Sequence, residues 1–147
     1  MKKSILAFLI IPSFFLISCE DDSDEDSTIT LKEIPTEIQS YIDEHFSEQT
    51  VSQAILEEDD GVFKFELFLD NFTMLEFSSE KKAIEIDGQS KLPDSVIPES
   101  ILSYVSTNYK DHYITGWELE SGYQQVRLEN QTELEFDLDG EFLRIDN

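Results

Sequence analysis

Ile34-Pro35-Thr36-Glu37-Ile38-Gln39-Ser40-Tyr41-Ile42 and Ile97-Pro98-Glu99-Ser100-Ile101-Leu102-Ser103-Tyr104-Val105 are one phrase written twice, 63 residues apart. In each copy the apolar residues recur at spacings of three and four, which lays them in one stripe along a helix. The proline suits a first helical position, where its missing N–H costs nothing. The first stripe runs on to Phe46 and the second to Tyr109. The first helix is expected to end between Ser47 and Thr50. His45 then sits on its last turn, where positive charge is favoured, and reads as structural rather than as a ligand.

After each helix the apolar period changes to two. Phe63, Phe65, Leu67 and Leu69 alternate in one run, and Thr73, Leu75 and Phe77 in the next. Val51–Glu58 before them and Ile84–Ile86 after them complete a four-strand meander. The second half follows suit with strands near 115–120, 123–129, 132–137 and 141–146. Asp139-Gly140 between two apolar runs predicts a two-residue hairpin. Thr73-Met74-Leu75-Glu76-Phe77 aligns with Thr132-Glu133-Leu134-Glu135-Phe136. The expected fold class is α+β: two tandem helix-plus-four-strand antiparallel meander repeats, residues 32–90 and 91–147, with the helices packed on one face of the sheet. A unit of about 60 residues buries only about 60% of its unfolded surface. The two are therefore expected to join, as one continuous sheet or as two sheets under a shared helical layer.

The outward face of the first meander is apolar at Val62, Phe68, Phe72 and Met74, where a solvated face is normally polar. Met74 aligns with Glu133, so this feature belongs to the first half alone. It reads either as packing against the other unit or a loop, or as an exposed patch for a partner. Phe68, Phe72 and Met74 are the candidate partner-binding residues.

Ahead of the first helix the chain carries an address. Lys2 and Lys3 precede an apolar run, Ile5–Leu16, too short to span a membrane. Leu16-Ile17-Ser18-Cys19 resembles the lipobox of bacterial lipoproteins, in which cleavage before the cysteine leaves a thiol that carries a diacylglycerol. Residues 1–18 are then a lipoprotein signal peptide and Cys19 is the lipidation site. With Cys19 the only cysteine, no disulfide or thiolate site remains once it is acylated. Residues 19–31, with Glu20-Asp21-Asp22-Ser23-Asp24-Glu25-Asp26 in them, read as an acidic disordered tether. The run also resembles the signal that sends some lipoproteins to the outer leaflet.

The whole chain has 33 Asp+Glu against 10 Lys+Arg, a net charge of −23. That balance excludes a nucleic-acid backbone as partner, which needs clustered cations. It equally excludes electrostatic docking on an anionic bilayer, leaving the lipid on Cys19 as the route to a membrane. The expected location is the outer membrane, on its periplasmic face or the cell surface. No phosphate-binding glycine loop or nucleophile elbow occurs. His45 and His112 lie in different units without local second ligands. Asp137-Leu138-Asp139-Gly140 lacks the downstream glutamate of a calcium loop. No metal, cofactor or catalytic residue is expected, and the protein is read as a non-enzyme.

Tandem helix-plus-meander units behind a lipobox, with Trp117-Glu118-Leu119-Glu120-Ser121-Gly122-Tyr123 and Phe136-Asp137-Leu138-Asp139-Gly140-Glu141-Phe142, resemble the PepSY-like family, also called β-lactamase-inhibitor-like. The resemblance covers residues 32–147. It implies an architecture similar to β-lactamase inhibitor protein, and a non-catalytic envelope protein that binds or inhibits a secreted or envelope protein such as a peptidase. The alternative is an acidic cation-buffering or structural envelope lipoprotein without a specific protein partner. Its calcium binding would be weak and would track the number of carboxylates.

Overall fold

The computed structural model describes residues 26–59 and 61–146, so Cys19, the signal peptide and most of the expected tether lie outside it. After a two-residue strand β1 (Ser27–Thr28) come helix α1 (Thr36–His45) and strands β2 (Val51–Asp59), β3 (Val62–Leu69), β4 (Met74–Phe77) and β5 (Ala83–Asp87). A 3-10 turn (Asp94–Val96) leads into α2 (Glu99–Asn108), β6 (Ile114–Leu119), β7 (Gln124–Leu128), β8 (Glu133–Phe136) and β9 (Phe142–Asp146).

The prolines cap the helices from one residue further out than expected. Pro35 (φ −54°, ψ 144°) and Pro98 (φ −54°, ψ 137°) are extended N-caps. Their carbonyls accept the N–H groups of Gln39 and Leu102, each at 3.1 Å. The helices also stop early, and in the same way. Phe46 and Tyr109 leave helical geometry while their N–H groups donate to Ile42 (2.7 Å) and Val105 (2.8 Å). Phe46 is 2% exposed. Turning that ring into the core requires the chain to leave the helix there.

All nine strands form one antiparallel sheet in chain order. Register fixes its faces, because directly opposed residues point the same way. Ala54, Leu67, Leu75, Ile86, Trp117, Val126 and Leu134 are opposed strand to strand, forming one apolar file across β2–β8. Both helices lie over this face. Tyr41 meets Phe77 edge-on at 5.3 Å, and Tyr104 meets Phe136 at 5.4 Å. Ile38 and Ile101, the central residues of the two stripes, are fully buried.

The halves meet where β5 pairs with β6: Glu85 opposite Glu118, Ile86 opposite Trp117, Asp87 opposite Gly116. The continuous-sheet alternative is therefore the one realised. Bulges fall between Val51 and Gln53 and between Ile114 and Gly116, and again before Phe77 and before Phe136. The largest difference between halves is in the first hairpin. β2 and β3 have 9 and 8 residues, β6 and β7 only 6 and 5.

The acidic segment expected to be disordered through residue 31 is partly taken into the sheet. Ser27 and Thr28 pair with Leu56 and Ile55, and the Ile29 N–H donates to Ala54 O at 2.9 Å. The edge of β2 offers unpaired donors and acceptors, and the chain folds back to use some of them.

Asp139-Gly140 does not form a two-residue hairpin. Asp137 N–H donates to Glu141 O (2.9 Å) and Gly140 N–H to Asp137 O (3.0 Å), enclosing a three-residue loop that ends in a left-handed residue. The same loop closes β3–β4, β4–β5 and β7–β8, with Phe72 (φ 65°), Lys81 (64°) and Gln131 (67°) in the left-handed place. Asn71 Oδ1 accepts the Thr73 N–H and Asn130 Oδ1 the Thr132 N–H, each at 3.1 Å, which accounts for both Asn-X-Thr sequences as turn chemistry. Gly140 (φ 85°) has a second reason to be glycine. A Cβ there would lie 1.9 Å from Ser100 Oγ at the start of α2.

Gly140→Ala is expected to lower stability by about 1–3 kcal/mol, through strain and this clash. Lys81→Gly, which relieves a left-handed lysine, is expected to raise it by up to about 1 kcal/mol. Urea-unfolding midpoints of the two variants check both.

Candidate partner-binding face

The sheet face away from the helices carries two files of directly opposed side chains. One runs Phe68, Met74, Asp87, Gly116, Arg127, Glu133, Asp146. The other runs Ile55, Glu66, Glu76, Glu85, Glu118, Gln125, Glu135, Arg144. Four glutamates thus stand side by side on consecutive neighbouring strands.

Phe68 and Met74 are cross-strand partners, each half-buried. Phe72, in the loop joining their strands, is 73% exposed. The three candidate residues therefore share one hairpin, with Phe68 and Met74 adjacent. Val62 is apart, at the far tip of the long β2–β3 arm. The alternative that this patch packs against the other unit does not hold: the halves lie edge to edge, and the helices are on the opposite face. The aligned residues in the second half, Arg127 opposite Glu133, are both charged, so the face is apolar at one place and charged beyond it.

Charge on this face is tightly organised. Lys64 Nζ meets Glu76 Oε1 at 2.6 Å, and Arg144 Nη2 meets Glu135 Oε1 at 2.8 Å. Arg127 pairs with Asp87 across the junction between halves. Gly116, between them in the file, leaves the space: a Cβ there would come within 3.2 Å of the Arg127 guanidinium. Glu85 is left among carboxylates. Burial first, and then the charges of Glu118, Glu76 and Asp87, push its carboxyl up to about 7. Glu66 and Glu118 are raised as well, burial again the larger cause and neighbouring glutamates the next.

Elsewhere the two histidines play structural parts. His45 Nδ1 lies 3.0 Å from Ser95 Oγ, tying α1 to the connector. His112 Nδ1 lies 2.7 Å from Glu129 Oε1, and the Tyr113 N–H donates to the other oxygen of that carboxylate at 3.0 Å. These contacts hold Glu129 below its ordinary range, the Tyr113 N–H more than His112. Among the described residues no group of three His, Cys, Asp or Glu side chains is placed to hold a metal ion, and no helix is long and apolar enough to cross a membrane. The helix-free face offers apolar contact at Phe68, Met74 and Phe72, and a broad negative field beside it.

A family profile described as "putative beta-lactamase-inhibitor-like, PepSY-like" matches residues 22–84 and 64–144. The chain belongs to the PepSY-like family. Solved structures agree with that placement. A protein from Bacteroides thetaiotaomicron, described as a "putative calcium-regulated periplasmic protein", is 33% identical with a TM-score of 0.79, over 83% of this chain and 97% of its own. A "putative periplasmic protein" from Bacteroides vulgatus is 30% identical with a TM-score of 0.79, over 85% and 99%. Another from Bacteroides vulgatus, a periplasmic protein "of unknown function", is 28% identical with a TM-score of 0.79, over 84% and 100%. No curated protein shows a significant match. The PepSY-like fold thus accounts for nearly the whole length of these periplasmic relatives.

The glutamate file sets a pH dependence. The Glu85 carboxyl sits above its ordinary value of 4.5 in the folded protein, so the native state binds more protons than the unfolded state between 4.5 and about 7. Its contribution to stability is then present at low pH and lost as pH rises through about 7. Glu85→Gln is expected to stabilise the protein at pH 8, by about 1 kcal/mol or less given solvent screening, and to leave it unchanged at pH 4. Urea midpoints at the two pH values decide it.

Proposed function

We propose that the protein is a lipid-anchored envelope protein built from two copies of a helix-plus-meander unit, whose helix-free sheet face binds another envelope or secreted protein without catalysis. The observation that carries this reading is the hairpin of Phe68, Met74 and Phe72. An apolar cross-strand pair and a 73% exposed ring stand on a face that no other described element covers, and the aligned residues in the other half, Arg127 and Glu133, are charged. Exposed rings beside a charged surround are what protein interfaces select for. The inhibitor-like description of the family supports a binding role, and a secreted peptidase is one partner of the right location.

The anchor rests on Lys2, Lys3, the apolar run and Leu16-Ile17-Ser18-Cys19. The periplasmic descriptions of the three relatives support an envelope location. Cys19→Ser is expected to move the protein from the membrane fraction of cells to the soluble fraction. Retention in the membrane fraction would defeat the anchor.

For the partner, the triple change Phe68→Ser, Phe72→Ser, Met74→Ser is expected to abolish capture from envelope extract. The melting temperature should fall by no more than a few degrees, because these side chains lie outside the helix-covered core. Unchanged capture would reject the patch.

A second reading, weak cation binding spread over the carboxylates of this face rather than held at one metal centre, is favoured by Glu66, Glu76, Glu85 and Glu118 standing abreast, and by the calcium-regulated description of one relative. On it the face responds to divalent cations. Calcium would then raise the melting temperature at pH 8, and Glu85→Gln would diminish the rise.

A further inference from the structure

The sheet has two outer edges, and the chain treats them differently. At the β2 edge, β1 folds back on Ile55 and Leu56, and the Ile29 N–H donates to Ala54 O. At the β9 edge no described residue pairs. An open edge presents a row of backbone donors and acceptors to any strand that can reach it.

β9 is the counterpart of β5: Ile84-Glu85-Ile86-Asp87 aligns with Leu143-Arg144-Ile145-Asp146. The outer edge of β5 is closed by β6, and Ile86 is fully buried. Ile145 holds the same place in β9. It lies opposite Leu134, on the helix side of the sheet, yet is 44% exposed, and Leu143 is 52% exposed. β9 thus carries the apolar side chains of an interior strand in the position of an edge strand.

Repeating the β5–β6 junction between molecules would set β2 of a second copy against β9 and build an open, head-to-tail array. β1 already occupies that edge of β2. The remaining complement is β9 of the second copy. Antiparallel pairing of two identical edge strands places a two-fold axis perpendicular to the sheet, so that the helices of both copies lie on one side. Each residue then faces one that points the same way, an even number of positions along the chain. An axis at Arg144 would set two guanidinium groups against each other. An axis at Ile145 sets Ile145 against its own counterpart and Arg144 against Asp146 of the second copy, twice by symmetry. The charges that guard this edge against other strands are complementary in this register alone.

We propose that β9 is a homodimer contact, two copies joining antiparallel about Ile145 into one continuous sheet. The strand is short and each whole chain has a net charge of −23, so the dimer is a weak one. Both helix-free faces then look the same way and present two hairpins of Phe68, Met74 and Phe72 side by side. The contact itself depends neither on that patch nor on the anchor at Cys19.

The test uses the protein from residue 19 onward with Cys19→Ser, which keeps every described element and leaves no cysteine. Sedimentation velocity at rising concentration should show monomer passing to dimer and no further. Asp146→Arg sets Arg against Arg144 of the second copy, while within its own chain position 146 faces Glu133. It should weaken dimerisation at least about tenfold without lowering the urea-unfolding midpoint. Ile145→Cys under mild oxidation should give a disulfide-linked dimer. Leu143→Cys, also exposed but far from its counterpart in this register, should give little. The proposal is overturned if the protein stays monomeric at every concentration or grows beyond a dimer, if Asp146→Arg dimerises as the parent does, or if Leu143→Cys cross-links as well as Ile145→Cys.

Discussion

One apolar file holds the molecule together. Ala54, Leu67, Leu75, Ile86, Trp117, Val126 and Leu134 are neighbours only because seven strands keep a common register, and their burial depends on two helices lying across them. A slip of one residue at any pairing would turn half the file towards solvent and bring glutamates under the helices. Ile86 and Trp117 make the critical step, since there the file crosses from one half to the other. The Trp117 indole N–H is satisfied within the fold by Gln124 Oε1 at 3.1 Å, and Gln124 in turn donates to the Asp137 carbonyl at 3.1 Å. A large ring can therefore sit at the seam without an unsatisfied donor.

The same register that hides the apolar file assembles the glutamates. Every second residue faces away from the helices, and across β3–β6 one file of those residues, Glu66, Glu76, Glu85 and Glu118, is wholly acidic. Like charges on adjacent strands weaken a sheet, and the structure offsets this with Lys64, Arg127 and Arg144. The offset is incomplete around Glu85, whose raised carboxyl marks the place where folding stability has been given up. Sites of function often carry such local cost.

Much of the scaffold could be read from the chain before the structure. The helical stripes from Ile34 and Ile97 and the period-two runs after them located both helices and eight of the nine strands. They succeeded because local periodicity reports burial directly. Helix ends were misjudged because Phe46 leaves the helix to reach the core, a tertiary demand with no local signal. Asp139-Gly140 suggested the wrong loop because the approach of Ser100, distant in sequence, contributes to the choice of glycine. β1 went unseen, since two residues have no period. For the candidate site, the apolar hairpin was legible as a break in alternation. The glutamate file was not, because it exists only once strand register is known.

Strand order equal to chain order has a consequence for how the molecule comes together. Most pairings are hairpins whose ends are close along the chain, so they close at small entropic cost. Two are not. β1 reaches β2 across α1, and β5 reaches β6 across α2, with Ser27 to Leu56 and Asp87 to Gly116 each spanning 29 residues. In both cases the long loop contains the helix that covers the adjoining sheet. Docking a helix and closing the loop around it are thus a single event, and the slow steps of assembly fall at those two crossings while the meanders zip locally.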